Sequence, residues 1–120
     1  MSNLFLYYPT CGTCRKAAKW LKQHDVAVHE RHIAEQPPTR SELEGWITRS
    51  GQPVQKFFNT SGKRYRELGM KDRIRTESPD QLLDLLDGDG MLVKRPILVL
   101  SRTVLAGFDE NRWSAAIAAE

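Results

Sequence analysis

Hydrophobic and polar positions along the chain fall into blocks of two periods. Leu4, Phe5, Leu6, Tyr7 and Tyr8 form a short apolar run stopped by Pro9, which predicts a buried first strand. Ala17, Ala18, Trp20 and Leu21 then recur at helical spacing among Lys and Arg, predicting a helix from about Cys14 to His24. Val26 and Val28 alternate with polar neighbours through His32, a second strand. Pro37 and Pro38 break the chain, and Thr39 with Glu42 three residues later reads as a capping box, opening a helix whose apolar face is Leu43, Trp46 and Ile47.

The stretch from Gly51 to Thr76 is less regular. Pro53 starts a short helix carrying Val54, Phe57 and Phe58, Asn59 to Gly62 reads as a loop, and a turn with Tyr65 and Leu68 ends at Gly69. Ser78 and Pro79 open a clear helix through Leu82, Leu83, Leu85 and Leu86, closed by Gly88 and Gly90. Lys94-Arg95-Pro96 precedes the run Ile97 to Leu100, and Ser101 to Thr103 turn the chain back into Val104 to Ala106. Asp109 caps a last helix with Trp113, Ile117 and Ala118.

A strand–helix–strand opening implies a right-handed crossover and a parallel pair, and the late hairpin adds antiparallel strands. The expected architecture is α/β, a mixed four-stranded sheet with flanking helices. No repeat or linker divides residues 1–120, so one domain is expected. A chain of 120 residues with 40% hydrophobic content folds without disulfide staples, which leaves Cys11 and Cys14 free for chemistry. No run approaches the length of a bilayer span, and Met1 to Leu4 carry neither a basic region nor an apolar leader. The chain therefore reads as cytoplasmic, where thiols stay reduced. A net charge of +3 suits anionic partners but is too mild to argue direct DNA binding.

Cys11-Gly12-Thr13-Cys14 stands where the first strand becomes the first helix, and together with the element order it gives a thioredoxin-like layout. A thiol reacts as its thiolate, which a helix N-terminus favours, and the amides of Gly12, Thr13 and Cys14 are placed to face Cys11. Gly12 permits close backbone approach, and the Thr10 and Thr13 hydroxyls are candidates to bond the sulfur or to serve the turn. Arg15, Lys16 and Lys19 crowd the first helical turns, against the macrodipole, which points to an electropositive pocket. Cys11 is expected to titrate below the ~8.5 of a free cysteine. Cys14, three residues into the helix and less exposed, is the natural resolving thiol; the alternative is a pair of inert core thiols. Cys11, Cys14, His29 and His32 superficially suggest a zinc site, but His-x-x-His is too short for a finger, and His29 and His32 diverge on a strand. His24, His29 and His32 read as solvated, and no metal or organic cofactor is expected. Pro96 stands where thioredoxin-like folds carry a cis-proline against the dithiol, so Arg95 brings a positive charge towards Cys11; the alternative is a surface arginine before an edge strand.

Three blocks, Tyr8 to Ala17, Asn59 to Gly69 and Lys94 to Ile97, resemble the ArsC/Spx family of arsenate-reductase-like proteins and Spx/MgsR-type regulators, in matching order over nearly the whole chain. The resemblance implies a thioredoxin-like fold with an inserted helical segment. For the reductases it implies a nucleophilic cysteine, matched by Cys11, among three arginines that hold an oxyanion. Arg95 matches one, while the other two places fall near Asn59 and Gly107, with Arg64, Arg66 or Arg102 as candidate substitutes. The implied reductants are glutathione, glutaredoxin or thioredoxin. For the regulators it implies a Cys-x-x-Cys redox switch that binds the C-terminal domain of the RNA polymerase α subunit, and a long basic tail where this sequence ends Ala115 to Glu120. The sequence thus leads to a thiol–disulfide oxidoreductase, with a redox-sensing regulator as the second reading. A dithiol that only guards against overoxidation is the third.

Overall fold

The protein is described by a computed structural model covering residues 3–120; Met1 and Ser2, and the leader expectation that rests on them, lie outside the described residues. Its sheet has the order β2-β1-β3-β4, formed by β1 (Asn3–Tyr7), β2 (Val28–His32), β3 (Ile97–Val99) and β4 (Val104–Ala106). β1 pairs in parallel with β2, while β1–β3 and β3–β4 are antiparallel. The mixed four-stranded sheet expected from the sequence is the one observed.

Consecutive strand residues point to opposite faces, and β1, β3 and β4 are covered on both, so these strands read as apolar runs, whereas β2, at the sheet edge, reads Val-His-Glu-Arg-His and stays partly exposed. Leu6, Ile97 and Val104 face one core with Ile33, Leu43, Phe57, Met70, Leu82 and Leu92. Phe5, Leu98 and Leu105 face the other, filled by Ala17, Trp20 and Leu21 of α1 (Gly12–Gln23) and Trp113 of α6 (Glu110–Ala118). Trp113 stands edge-on to Phe5, Trp20 and Phe108. The first core lies under the helical middle: α2 (Arg40–Ser50), a 3-10 turn (Val54–Phe57), α3 (Lys63–Glu67), α4 (Met70–Thr76) and α5 (Pro79–Leu86).

Capping explains most helix limits. Thr39 and Glu42 form the reciprocal box at the start of α2, and Ser78 with Gln81 does the same for α5, with Pro79 at its first position. α1 starts two residues before the expected Cys14, because the Cys11 thiol takes the place of the usual hydroxyl or carboxylate cap. It ends where Asp25 adopts φ 54° and the Val26 amide donates to the Leu21 carbonyl, so β2 begins at Val28 rather than Val26. Past Gly69, at φ 64°, the expected turn continues into α4. Two segments tie the middle to the site: the Asn59 amide donates to the Leu92 carbonyl at 2.8 Å, and the Lys94 amide to the Phe57 carbonyl at 2.7 Å. Gly90 passes so close to the chain that a Cβ there would lie 1.9 Å from the Ile33 carbonyl oxygen.

Candidate active site

The turn from β1 into α1 closes through the Cys11 amide, which donates to the Tyr8 carbonyl at 3.1 Å. Cys11 is then the N-cap of α1, and the Cys14 amide donates to its sulfur at 3.3 Å. Both cysteines are free, Cys11 half-buried and Cys14 buried. Partial burial by itself pushes the Cys11 thiol up. The thiol and amide of Cys14 and the nearby Arg95 guanidinium outweigh that and hold Cys11 below its ordinary value. Cys14 goes the other way: burial and the neighbouring Cys11 sulfur push it up to about 12. The environment thus favours the thiolate at Cys11 and the protonated thiol at Cys14.

Arg95 precedes Pro96 through a cis peptide bond. Its guanidinium carbon lies 4.8 Å from the centre of the Tyr8 ring, and its Nη1 3.9 Å from the Met91 sulfur. Stacked this way on the residue that begins the cysteine turn, the charge is held beside the thiol by contacts rather than by a carboxylate.

Cys11 opens on a cavity of about 410 Å³. Its walls bring together Thr13 from α1, Asn59 and Ser61 from the loop after the 3-10 turn, Lys94 and Arg95 before β3, Gly107 after β4, and Arg112 from α6. Both places where the family resemblance called for an arginine are on this wall, held by Asn59 and Gly107. The Asn59 side chain folds over Gly62, where a Cβ would meet its Nδ2 at 2.6 Å. Gly107 sits at φ 80°, and a Cβ there would meet the Lys94 Cε at 3.1 Å. The lysine stem lies across the space where a side chain at 107 would begin, and its ammonium supplies charge that position 107 lacks.

Lys94 and Arg112 are the cavity residues that sequence reasoning missed. Lys94 stood inside the Lys94-Arg95-Pro96 motif without a role. Arg112 gave no signal beyond its place in the first turn of a helix capped by Asp109, which the fold aims at the site. Arg64, Arg66 and Arg102 do not line the cavity: Arg64 pairs with Asp89 at 2.8 Å, and Arg66 and Arg102 donate to the Ser61 and Ala119 carbonyls. Thr10 and Gly12 are exposed and off the cavity wall, and a Cβ on Gly12 would meet nothing within 4 Å. Arg15 lies beside Tyr8, Pro9 and the back of Cys14, and helix rotation turns Lys16 and Lys19 outward too. The charge that acts on Cys11 is therefore that of Arg95, and Lys94 and Arg112 add positive charge to the wall of the same cavity. Pro96 is buried, its carbonyl accepting from the Gly107 amide at 2.8 Å.

Only His29 behaves as a simple solvated histidine. His24 stacks on Trp20 with ring centres 4.0 Å apart, and the His32 Nδ1 accepts from the Ala34 and Glu35 amides while its ring meets Tyr7 and Tyr8. No group of three His, Cys, Asp or Glu side chains among the described residues converges on a metal-sized site. No helix among them is long and apolar enough to cross a membrane.

Known proteins resemble this chain in sequence, and solved structures share its arrangement of elements. Protein YusI of Bacillus subtilis is 50% identical over 94% of this chain and 96% of its own length. The regulatory protein MgsR of the same organism is 30% identical over 88% of the chain and 82% of its own. The global transcriptional regulator Spx of Streptococcus pneumoniae is 32% identical over 96% and 84%. Among solved structures, an ArsC-family-related protein of Bacteroides fragilis superposes with a TM-score of 0.93 at 45% identity, covering 96% of this chain and 97% of that one. The "possible arsenate reductase" of Streptococcus mutans gives 0.83 at 37% identity, covering 93% and 97%. The sequence profile of the ArsC family matches residues 6–116, from β1 to α6 and through Cys11, Cys14 and Arg95, and the chain belongs to that family, with its thioredoxin-like fold.

Proposed function

We propose that the protein is a thiol–disulfide oxidoreductase of the arsenate-reductase-like type, with Cys11 as nucleophile, Cys14 as resolving thiol and Arg95 as the charge that steadies both thiolate and substrate. The observation that carries this reading is the asymmetry of the pair. Cys11 lies half-buried on a cationic cavity with its thiol held low, and Cys14 lies beneath it, buried and protonated.

The Cys11 thiolate attacks one sulfur of a disulfide, that S–S bond breaks, and the departing thiolate carries away the electron pair. Cys14 then gives up its proton and attacks the Cys11 sulfur of the mixed disulfide. The second thiolate leaves and takes that proton, and Cys11–Cys14 closes. The substrate has gained two electrons, and the protein recovers them from glutathione, glutaredoxin or a thioredoxin in a reducing cytoplasm. Thr13 and the cations on the wall orient the incoming group, while Thr10, Gly12, Arg15 and Pro96 shape the turn and the entry to β3.

The second reading is a redox-sensing regulator in which closure of the same pair alters contact with the RNA polymerase α C-terminal domain. The kinship with Spx and MgsR, at 32% and 30% identity, favours it. One experiment separates the two: equilibration in defined glutathione buffers with thiol trapping, alongside turnover of arsenate and of a small disulfide. A potential of about −270 to −200 mV with disulfide turnover supports the oxidoreductase. Reversible oxidation without turnover favours the regulator, and no disulfide at any poise overturns both.

A further inference from the structure

Lys94 and Arg112 border more than the cavity at Cys11. These two side chains, with Ala106, are also the near wall of a second chamber of about 500 Å³, whose far side is built from Gln52, Gln55, Lys56, Phe58, Thr60 and Ile74. A tetrahedral oxyanion bound at Cys11 and Arg95 leaves this chamber unfilled, whereas its volume suits a ligand of several heavy atoms. Lys56, Lys94 and Arg112 give the chamber three cations and no carboxylate on its wall. No ammonium or guanidinium nitrogen of the three lies within 4 Å of a carboxylate oxygen among the described residues. Gln52 and Gln55 add amide donors and acceptors of the kind that pair with peptide groups, and Phe58 and Ile74 add apolar surface.

We propose that the second chamber binds the anionic, amide-bearing arm of the disulfide that Cys11 attacks. The substrate class is a small peptide-like disulfide whose carboxylate lies several bonds from sulfur and sits between Lys94, Arg112 and Lys56. This inference rests on the thiol–disulfide reading of the site and adds the part of the substrate remote from the reacting bond. Such binding raises the rate only for substrates long enough to reach the chamber and negative at their far end. In the step itself the Cys11 thiolate forms the new S–S bond, the old one breaks, and the unbound half leaves as a thiolate.

The test measures mixed-disulfide formation on Cys11 by mass spectrometry in the C14A variant, which traps the first step. Three probes are compared: oxidised glutathione, the short dianion 3,3′-dithiodipropionate, and the cationic cystamine. Oxidised glutathione is expected to react fastest and cystamine slowest. The ratio of these two rates is expected to fall about three- to fivefold in K56Q, the range of one partly solvated charge pair, to fall further in K56E, and to recover in K56R. K22Q, at the far end of α1, is expected to keep the unmodified ratio. Loss of free thiol in the protein with Cys14 intact repeats the comparison without the C14A background. Rates blind to probe charge, or a ratio unmoved by K56Q and K56E, overturn the second chamber and leave the redox reading standing. Absence of mixed disulfide with every probe overturns both.

Discussion

Replacing Arg95 by Gln removes a charge from beside Cys11 while keeping a polar side chain of moderate length. Two unit charges about 4 Å apart attract by about 4 kcal/mol at an effective dielectric of about 20. Arg95 and Cys11 are each half-exposed, and solvent screening reduces the net effect to about 1 kcal/mol. That is a factor of about five in thiolate population at a pH where the thiol is mostly protonated. The thiolate that remains in R95Q is more basic and so a better nucleophile. With a Brønsted coefficient of about 0.45 its intrinsic reactivity rises about twofold. The two effects oppose each other, and the net expectation is alkylation about two- to threefold slower on the acid side.

On the alkaline plateau, where every Cys11 is ionised, only the second effect survives. R95Q is expected to react about twofold faster there, so the two pH–rate profiles cross. The assay is iodoacetamide alkylation in the C14A background, followed by mass spectrometry, with R95K as the variant that restores the charge. Its profile is expected to lie close to that of the parent protein. A crossing that vanishes in R95K assigns the effect to charge. Parallel profiles, with R95Q slower at every pH, would mean that Arg95 shapes access to the sulfur and does not tune it, and the electrostatic reasoning would be refuted.

Cys14 predicts an alkaline weakness. Its folded-state value of about 12 lies above the ~8.5 of a free cysteine, so the fold holds a proton that the unfolded chain releases. That contribution is complete below about pH 9 and declines as pH rises towards 12. The gap in urea midpoint between the unmodified protein and C14A is expected to narrow from about pH 8 to about pH 10.5; a constant gap refutes the assignment. Gly90→Ala drives a Cβ to 1.9 Å from the Ile33 carbonyl oxygen, against the Ile33–Ala34 backbone. It is expected to cost at least the upper end of the ~1–3 kcal/mol of overpacking, whereas Gly45→Ala, in the exposed interior of α2 with nothing within 4 Å, is expected to gain about 0.5–1 kcal/mol. Urea denaturation measures both, and equal midpoints for the two variants contradict the close approach at Gly90.

The legible parts of this molecule are those in which one local rule decides. Buried runs such as Ile97 to Val99 have no polar face to show, and Thr39 with Glu42 states a helix start in four residues. The dithiol was legible because its two members are neighbours. Helix α4 was hidden: in Met70–Thr76 only Met70 and Ile74 are apolar, one turn apart, and charges fill most of the rest. Periodicity needs more residues than that to register. The cation cluster was hidden for a different reason. Lys94, Arg95 and Arg112 come from two separate segments, and only the seating of α6, through Trp113 against Phe5 and Trp20, brings the third to the other two. Asn59 and Gly107 stand in the sequence where the resemblance places arginines, but only the fold lays Lys94 over Gly107.

How the fold spends its carboxylates bears on what the site is for. Arg31 makes a two-pronged contact with Glu42, holding that carboxyl below its usual range while Glu42 also caps α2. Arg40 ties α2 to α5 through Asp80 and Asp84, and Arg64 and Arg73 have Asp89 and Glu77. Around Cys11 the pattern reverses. Lys94, Arg95 and Arg112 share one cavity, and its single acid, Asp109, turns a carboxylate oxygen to the Arg112 amide at 3.1 Å, capping α6. Like charges gathered without counter-charge oppose folding, so this cluster is no device for stability. On the proposed reading, what offsets it is negative charge that arrives with function: the thiolate of Cys11 and an anionic group on the molecule it attacks. Neutralising these cations one at a time should leave the denaturation midpoint unchanged or raised while slowing the reaction with anionic disulfides. Cutting the Arg40 network should do the opposite, lowering the midpoint and sparing the reaction.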